Sequence, residues 1–478
     1  MKKKVLFVLL SFDLGGLLFA APMSCHAQAV ASANLAATLP SAPTPQTSST
    51  QSAPGSLSST QGITAVPSNP GTPISLSLKE AEGLALKNNP QISVARLTAL
   101  ASQQVTREVR SSLWPSAALN LTGVDASTSS RITAGAINNP SVFERAAAGV
   151  TVSQLITDFG RTRNLTASAD FAAKAQNQNA LATKEQILLA VDQAFYGALQ
   201  ARAVFTVAQQ TVNARQAVTD QVSALFQAKL RSQLDFSFAN VNLAQAKLLL
   251  LDAENNENSS LAALAAVLGY ATLQNFQLIE DTSAVTPPPG NVDDLISQAL
   301  TARPEMLALN FQYQSDKKFQ NAQHDSFFPT IQAMGVAGET PFHDPSIASN
   351  WYGAVGVNVG IPVFNGFLFS AREREANFRA QATQNRLLDL RNRVSRDVRT
   401  SWLNANAAYQ RLAVAQQLLD QANLAVDLAQ TRYKLGLSSI VELSQAQLQQ
   451  TQAQIGNAQA GYDYRLALAI LQYQTTGL

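Results

Sequence analysis

The chain has 478 residues, 34 Lys+Arg against 32 Asp+Glu, 46% apolar residues and a single cysteine. So even a charge balance gives no support for nucleic-acid binding. One cysteine cannot build a disulfide framework or a thiolate metal cage.

The N-terminus carries Lys2-Lys3-Lys4, an apolar stretch from Val5 to Ala21 broken by Asp13, and Ala27-Gln28-Ala29. Together these read as a secretory signal over residues 1–29, cleaved after Ala29, rather than as a membrane anchor. Cys25 lies inside it behind Pro22-Met23-Ser24, a poor lipoprotein signal, so the exported chain is expected to contain no cysteine. Residues 30–74 are mostly Ala, Ser, Thr, Pro and Gln. Such a segment buries too little apolar surface to offset its ordering entropy and is expected to be a disordered lead.

From residue 75 the chain contains itself twice. Leu84-Ala85-Leu86-Lys87-Asn88-Asn89-Pro90 is answered 214 residues later by Gln298-Ala299-Leu300-Thr301-Ala302-Arg303-Pro304, and Pro115 and Pro329 follow at the same spacing. A unit of roughly 200 residues has been duplicated. Repeat 1 is expected over 75–280 and repeat 2 over 291–478, with the proline-rich linker 281–290 between them.

Each repeat opens with a helical stretch, Pro90 to Leu113 and Pro304 to Phe328, and then turns to alternating apolar and polar residues. These strand-like runs are 114–123 and 148–153 in repeat 1, and 329–336 and 354–361 in repeat 2. Such alternation is the weak signature of a transmembrane β-strand, although a soluble sheet with one wet face alternates too. Trp114, Phe327, Phe328, Trp351 and Tyr352 stand near strand ends, where an interfacial aromatic girdle would place them.

A long helix follows in each repeat. Residues 161–229 hold no proline and one glycine, Gly197, and residues 367–435 hold neither. At 1.5 Å per residue each reaches roughly 100 Å. In the second copy Val398, Ala405, Leu412, Leu419, Val426 and Tyr433 recur every seven residues, beside a smaller track of Val394, Ser401, Ala408, Ala415, Ala422 and Ala429. Shifting back 207 residues gives Val191, Ala198, Phe205, Val212, Thr219 and Phe226, with Ile187, Ala194, Ala201, Ala208, Arg215 and Val222 as the second track. This periodicity predicts coiled-coil packing, with close backbone approach along the alanine side. Further helices are expected at 236–268 and 443–473. Stacked on the shorter opening helices they nearly match the long ones, as struts in a curved wall would.

Two strands per repeat give four per chain, and a membrane barrel must close because lipid satisfies no edge hydrogen bonds. The smallest known type has eight strands. Three chains would supply 12; a dimer with eight is the competitor.

Catalytic chemistry finds little footing. Outside the signal only His324 and His343 remain, without metal-ligand spacing, and neither a nucleophile elbow nor a phosphate loop occurs. Gly353-Ala354-Val355-Gly356 lies in a strand pattern and reads as close strand packing. No enzyme, cofactor or metal site is expected.

Leu78-Lys79-Glu80-Ala81 through Asn89-Pro90, LITDFGR at 155–161, IPVFNG at 361–366 and Tyr433-Lys434-Leu435-Gly436 together resemble the TolC-type outer-membrane efflux proteins. The resemblance runs from about Leu76 to Gly477. It implies a mainly α fold with membrane β: duplicated long-helix hairpins forming a trimeric α-helical barrel continuous with a 12-stranded β-barrel. It also implies a homotrimer in outer-membrane lipid with its helices in the periplasm. The function implied is an exit duct of a tripartite efflux or type I secretion system, reached by an inner-membrane pump through a periplasmic adaptor. Carried over residue by residue, the gate at the hairpin tips involves Asp235 and Glu442, which match at the 207-residue offset. Gln445 stands where the family has a further aspartate, Ser438 where it has a tethering arginine, and Arg231 and Tyr433 are candidate tethers. From the residues alone two classes stay open, this conduit and a structural or adhesive coiled-coil surface protein. A periplasmic adaptor is disfavoured because the chain has two hairpins and strands of membrane length.

Overall fold

The computed structural model describes residues 74–125, 145–272, 274, 276–280, 286–342 and 349–476, all within one compact unit, Ser68–Leu478. The expected signal, all of the lead but Ile74, residues 281–285 of the linker, and His343 lie outside the described residues.

The elements run β1 (Ile74–Leu76), α1 (Leu78–Asn88), α2 (Pro90–Ser111), β2 (Ser116–Val124), β3 (Arg145–Thr157), α3 (Arg161–Gln227), α4 (Gln233–Val267), β4 (Phe276–Leu278), α5 (Val292–Ala302), α6 (Pro304–His324), β5 (Thr330–Phe342), β6 (Trp351–Gly360), α7 (Leu368–Lys434) and α8 (Ile440–Thr475). The long helices α3 and α7 have 67 residues each. They stay unbroken because neither contains proline. Every heptad position named above is buried or half-buried, so the 3.5-residue period marks a real packing seam.

Packing follows the duplication. α3 touches α2 and α6 toward the sheet and α4 and α8 toward the far end, while α7 touches α6 and then α8. The result is a wall, four helices wide at either level: α2, α3, α6, α7 near the sheet and α4, α3, α8, α7 near the tips.

The strands form one antiparallel sheet in the order β2-β3-β5-β6, so β3 and β5 join the two repeats directly. Pairing runs from Ser116↔Ser153 to Val124↔Arg145 in the first hairpin and from Thr330↔Gly360 to Glu339↔Trp351 in the second. Among the described residues β2 and β6 each have one unpaired edge, and every residue of β6 is exposed. Leu119, Leu121, Val355 and Val357 are bare apolar side chains on these edge strands. The exposed Trp114 and Phe328 stand at the helical end of the sheet and Trp351 at the other, the two levels a girdle requires. Close strand packing occurs at a different glycine pair from the one expected. Gly356 faces open space, whereas a Cβ on Gly149 would lie 2.1 Å and one on Gly338 2.5 Å from the Tyr352 hydroxyl, so Tyr352 lies across that paired couple.

Halfway along the wall is a belt whose parts the heptad reading does not reach. β1 and β4 pair in parallel over three residues, and α1 packs on α3 as α5 packs on α7. Leu76, Ala81, Ala85, Val191, Phe195, Leu264, Leu268 and Phe276 form the first-repeat core there. Ala299, Met306, Val394 and Val398 form the second. α1 starts at a capping box between Ser77 and Glu80. Asn89 then ends it and starts α2, donating from Nδ2 to the Val267 carbonyl at 2.9 Å while its Oδ1 accepts from Gln91 N at 2.9 Å. Opposite, Gly269 has φ +85°, and a Cβ there would meet the Asn88 carbonyl oxygen at 2.8 Å. The last residues of the linker are tied to the wall: Tyr464 donates to the Thr286 carbonyl, and Trp402 Nε1 to the Pro289 carbonyl at 2.6 Å.

Candidate functional site at the hairpin tips

The two hairpin tips are built alike. At the first, Leu230 N donates to the Leu225 carbonyl at 2.8 Å and Lys229 N to Phe226; at the second, Leu437 N donates to Arg432 at 2.8 Å and Gly436 N to Tyr433. This 6→1 and 5→2 pair is a Schellman ending, which requires one left-handed residue. In the second tip that residue is Gly436, at φ 73°; in the first it is Lys229, at φ 63°. Ser232 and Ser439 then cap α4 and α8.

Asp235 and Glu442 are each the third residue of their helix, which explains why they align. Asp235 closes a capping box: its amide donates to Ser232 Oγ at 3.1 Å, and its Oδ2 accepts from Ser232 N at 3.2 Å. Glu442 donates its amide to Ser439 Oγ at 3.3 Å, and its carboxylate faces Arg432 Nε across the turn at 3.3 Å. An acidic group in the first turn of a helix is favoured by the dipole as well as by the cap. The Ser-x-x-Asp pattern at 232–235 carried the capping signal in plain view.

Arg231 and Tyr433 meet across the two hairpins. Arg231 Nη2 donates to the Tyr433 carbonyl at 2.9 Å, and the guanidinium sits 4.3 Å from the centre of the Tyr433 ring. The hydrogen bond and cation–π contact thus fasten tip to tip within one chain. Tyr433 is 4% exposed, in a core with Val222, Ala239, Val426, Ile440 and Leu443. Burial raises the phenol above its ordinary pKa, with Arg231 opposing and Asp235 adding. Its hydroxyl is buried without a partner among the described residues, and so is the Ser438 hydroxyl. Beneath, Phe226 and Phe236 stack at 5.5 Å with ring planes 2° apart, and Asn242 Nδ2 donates to Ser444 Oγ at 2.6 Å, a second tie between α4 and α8.

Gln445 is not part of this cluster. It lies one turn further into α8, exposed, on the wall of a groove between α4 and α8. The site is therefore a tether, Arg231 on Tyr433, flanked by the capping carboxylate of Asp235 and the Arg432-paired carboxylate of Glu442, with Gln445 apart. The tether joins residues 202 apart, a contact that no local pattern encodes.

Among the described residues no helix is long and apolar enough to cross a membrane, and no His/Cys/Asp/Glu group could hold a metal ion.

The sequence matches the family model for the outer membrane efflux protein over residues 83–270 and 295–476, one block in each repeat. It is 22% identical over 413 residues to the outer membrane protein TolC of Escherichia coli (strain K12), covering 81% of each chain. It is 22% identical to the outer membrane efflux protein BepC of Brucella suis, covering 67% of this chain and 69% of that one. Among solved structures, the outer membrane channel MtrE of Neisseria gonorrhoeae in its open state superposes with a TM-score of 0.72 at 19% identity, over 84% of this chain and 89% of that chain. The outer membrane protein VceC of Vibrio cholerae gives 0.71 at 17% identity, over 84% and 96%.

Proposed function

We propose that this chain, which belongs to the outer membrane efflux protein family, forms a homotrimeric duct. In it, the four-stranded sheet supplies one third of a 12-stranded barrel in the outer membrane, and the helical wall one third of a periplasmic tunnel. One observation carries the reading: sheet and wall both end in unsatisfied edges. β2 and β6 offer unpaired backbone along their outer sides, which no lipid can satisfy. At the same time α7 leaves Leu403, Leu418, Leu424 and Leu428 bare, and α2 and α4 leave Val94, Leu97, Leu248 and Leu251 bare. Rotated copies join the edge of one chain to the opposite edge of the next and close both layers together. Three copies suffice for the strands. A structural or adhesive coiled-coil protein would have no use for the sheet.

The duct receives cargo from an inner-membrane pump through a periplasmic adaptor at the hairpin tips, and it acts as a passage, not as a catalyst. Asp235 and Glu442 from three chains bring six carboxylates to the mouth, a field that favours cations. The Arg231–Tyr433 tether holds the two tips of each chain together in the resting state. The test is planar-bilayer conductance of the detergent-extracted protein, with the mass in detergent determined on the same sample. A trimer with small, flickering conductance is expected. A monomer or rod without conductance would overturn the duct.

A further inference from the structure

Arg215 stands on the second heptad track of α3, where its counterpart 207 residues on is the buried Ala422. It is 8% exposed, its Nη1 is buried without a hydrogen-bond partner, and it enters no ion pair among the described residues. Burial alone lowers its pKa, to about 10, with no carboxylate acting against that, so it stays charged at neutral pH. A fully buried charge is costly unless it is paired.

The arginine lines a groove of about 600 Å³ whose walls are α4 and α8. Phe238 and Leu249 on one wall and Leu448 and Ile455 on the other give it apolar sides, the amides of both walls and the hydroxyls of Ser444 and Thr451 lie between them, and no acidic residue lines it. The lined stretch of α4, Phe238 to Leu249, is about 16 Å long at the α-helical rise. Volume and length both suit a drug-sized molecule.

We infer that this groove is a binding site for small amphiphilic organic anions, whose carboxylate or sulfonate pairs with the Arg215 guanidinium while an apolar body lies between α4 and α8. The charge complementarity argues for an anion, the apolar side chains on both walls favour one with an organic body, and the short lined stretch argues against a whole partner helix. Two oxygens of either group accept from the guanidinium fork, the carboxylate in the coplanar geometry that arginine favours. The site is separate from the Arg231–Tyr433 tether and does not depend on conduction.

The probe is 2-naphthoate, titrated calorimetrically into the full-length protein in a non-ionic detergent, with uncharged 2-naphthylmethanol as control. Saturable naphthoate binding is expected, weakened about tenfold or more in Arg215→Met by loss of the charge-assisted bonds, while the alcohol binds both proteins alike. Leu448→Trp fills the groove and leaves the arginine in place, so it decides the matter if the first variant does not fold. Absence of saturable naphthoate binding by the unmodified protein, or binding unchanged by either substitution, would overturn the site.

Discussion

α3 and α7 are equal in length and share one heptad frame, yet they lead different lives. α3 is enclosed by α1, α2, α4, α6 and α8, whereas α7 meets α5, α6 and α8 and keeps a bare apolar side. The divergence can be followed position by position at the 207-residue offset. Phe195 is 1% exposed in the belt core, while Trp402 is half-buried and hydrogen-bonded to the linker. Asp192 is buried, while Arg399 is exposed and paired with Asp293 at 3.1 Å. Duplication supplied two identical struts; one became the interior of the chain and the other its edge. A helix that is an edge within the chain becomes interior only when another chain covers it.

The largest expected effect tests that contrast directly. Phe195→Ala should cost about 3–5 kcal/mol of stability, as a large-to-small change in a closed core does, whereas Leu418→Ala on the bare side of α7 should change the fold by about 0.5 kcal/mol or less. Thermal unfolding of both variants measures this, and equal losses would mean that α7 is already covered within the chain. The complementary substitutions Leu418→Glu with Leu428→Glu should leave helix content unchanged and reduce the trimer to monomers by mass in detergent. An intact trimer would move the interface to another face.

Asp192 sharpens the comparison through pH. Burial, with Glu82 adding, raises its pKa from near 3.8 to about 7, so the folded chain holds a proton there that the unfolded chain releases. Its contribution is therefore fully present below the unfolded value and is lost as pH rises toward and through about 7. Asp192→Asn should unfold like the parent at pH 4 and at a higher temperature at pH 8. The matched Arg399→Gln on exposed α7 should show no such dependence, and an equal response in both would break the contrast.

What could be read from the residues alone follows the same line. α3, α7 and the four membrane strands were legible because a period sustained over many residues needs no partner to be seen. The four strands were found at the correct places, each shorter than or offset from its observed extent by a few residues. β1 and β4 were not found, because three residues carry no period and their pairing joins Ile74 to Phe276. α1 and α5 are single 11-residue helices; their C-terminal ends at 84–90 and 298–304 mark the repeat in the sequence, while the caps that start them, Ser77–Glu80 and Asn291, are too short a signal to stand out. At the tips, Asp235 and Glu442 were legible as a matched pair. Their place as third residues in the first turn behind a capping serine is encoded in the same four residues, whereas the stacking of Arg231 on Tyr433 exists only after both hairpins have folded.

That tether marks the next contrast. Arg231→Ala removes the hydrogen bond and the ring contact between hairpins, together worth roughly 1–3 kcal/mol. It should raise single-channel conductance while leaving the trimer intact. Asp235→Ala loses a cap, about 1 kcal/mol, and should loosen the same tip less. If conductance responds equally to both, the tip opens by fraying of α4 and the tether is incidental.

The smallest effect concerns the left-handed position of the turn, where the first tip has Lys229 and the second Gly436. Both Schellman endings need a left-handed residue, and only Gly436 occupies that region without a Cβ penalty; Lys229 adopts φ 63° against it. The penalty for an L-residue there is about 1–2 kcal/mol, reduced in a substitution because glycine also gains freedom in the unfolded chain. Lys229→Gly should therefore stabilise the first tip by less than about 1 kcal/mol, and Gly436→Ala should destabilise the second by a comparable or larger amount. Hydrogen exchange at the Leu230 and Leu437 amides, which close the two turns, reads each change at its own tip. Opposite shifts would establish that the repeats share one turn geometry and differ only in how well their residues suit it. Shifts of the same sign would mean that the Lys229 side chain contributes contacts that outweigh its backbone strain, and that the first tip has been selected for something other than a relaxed turn.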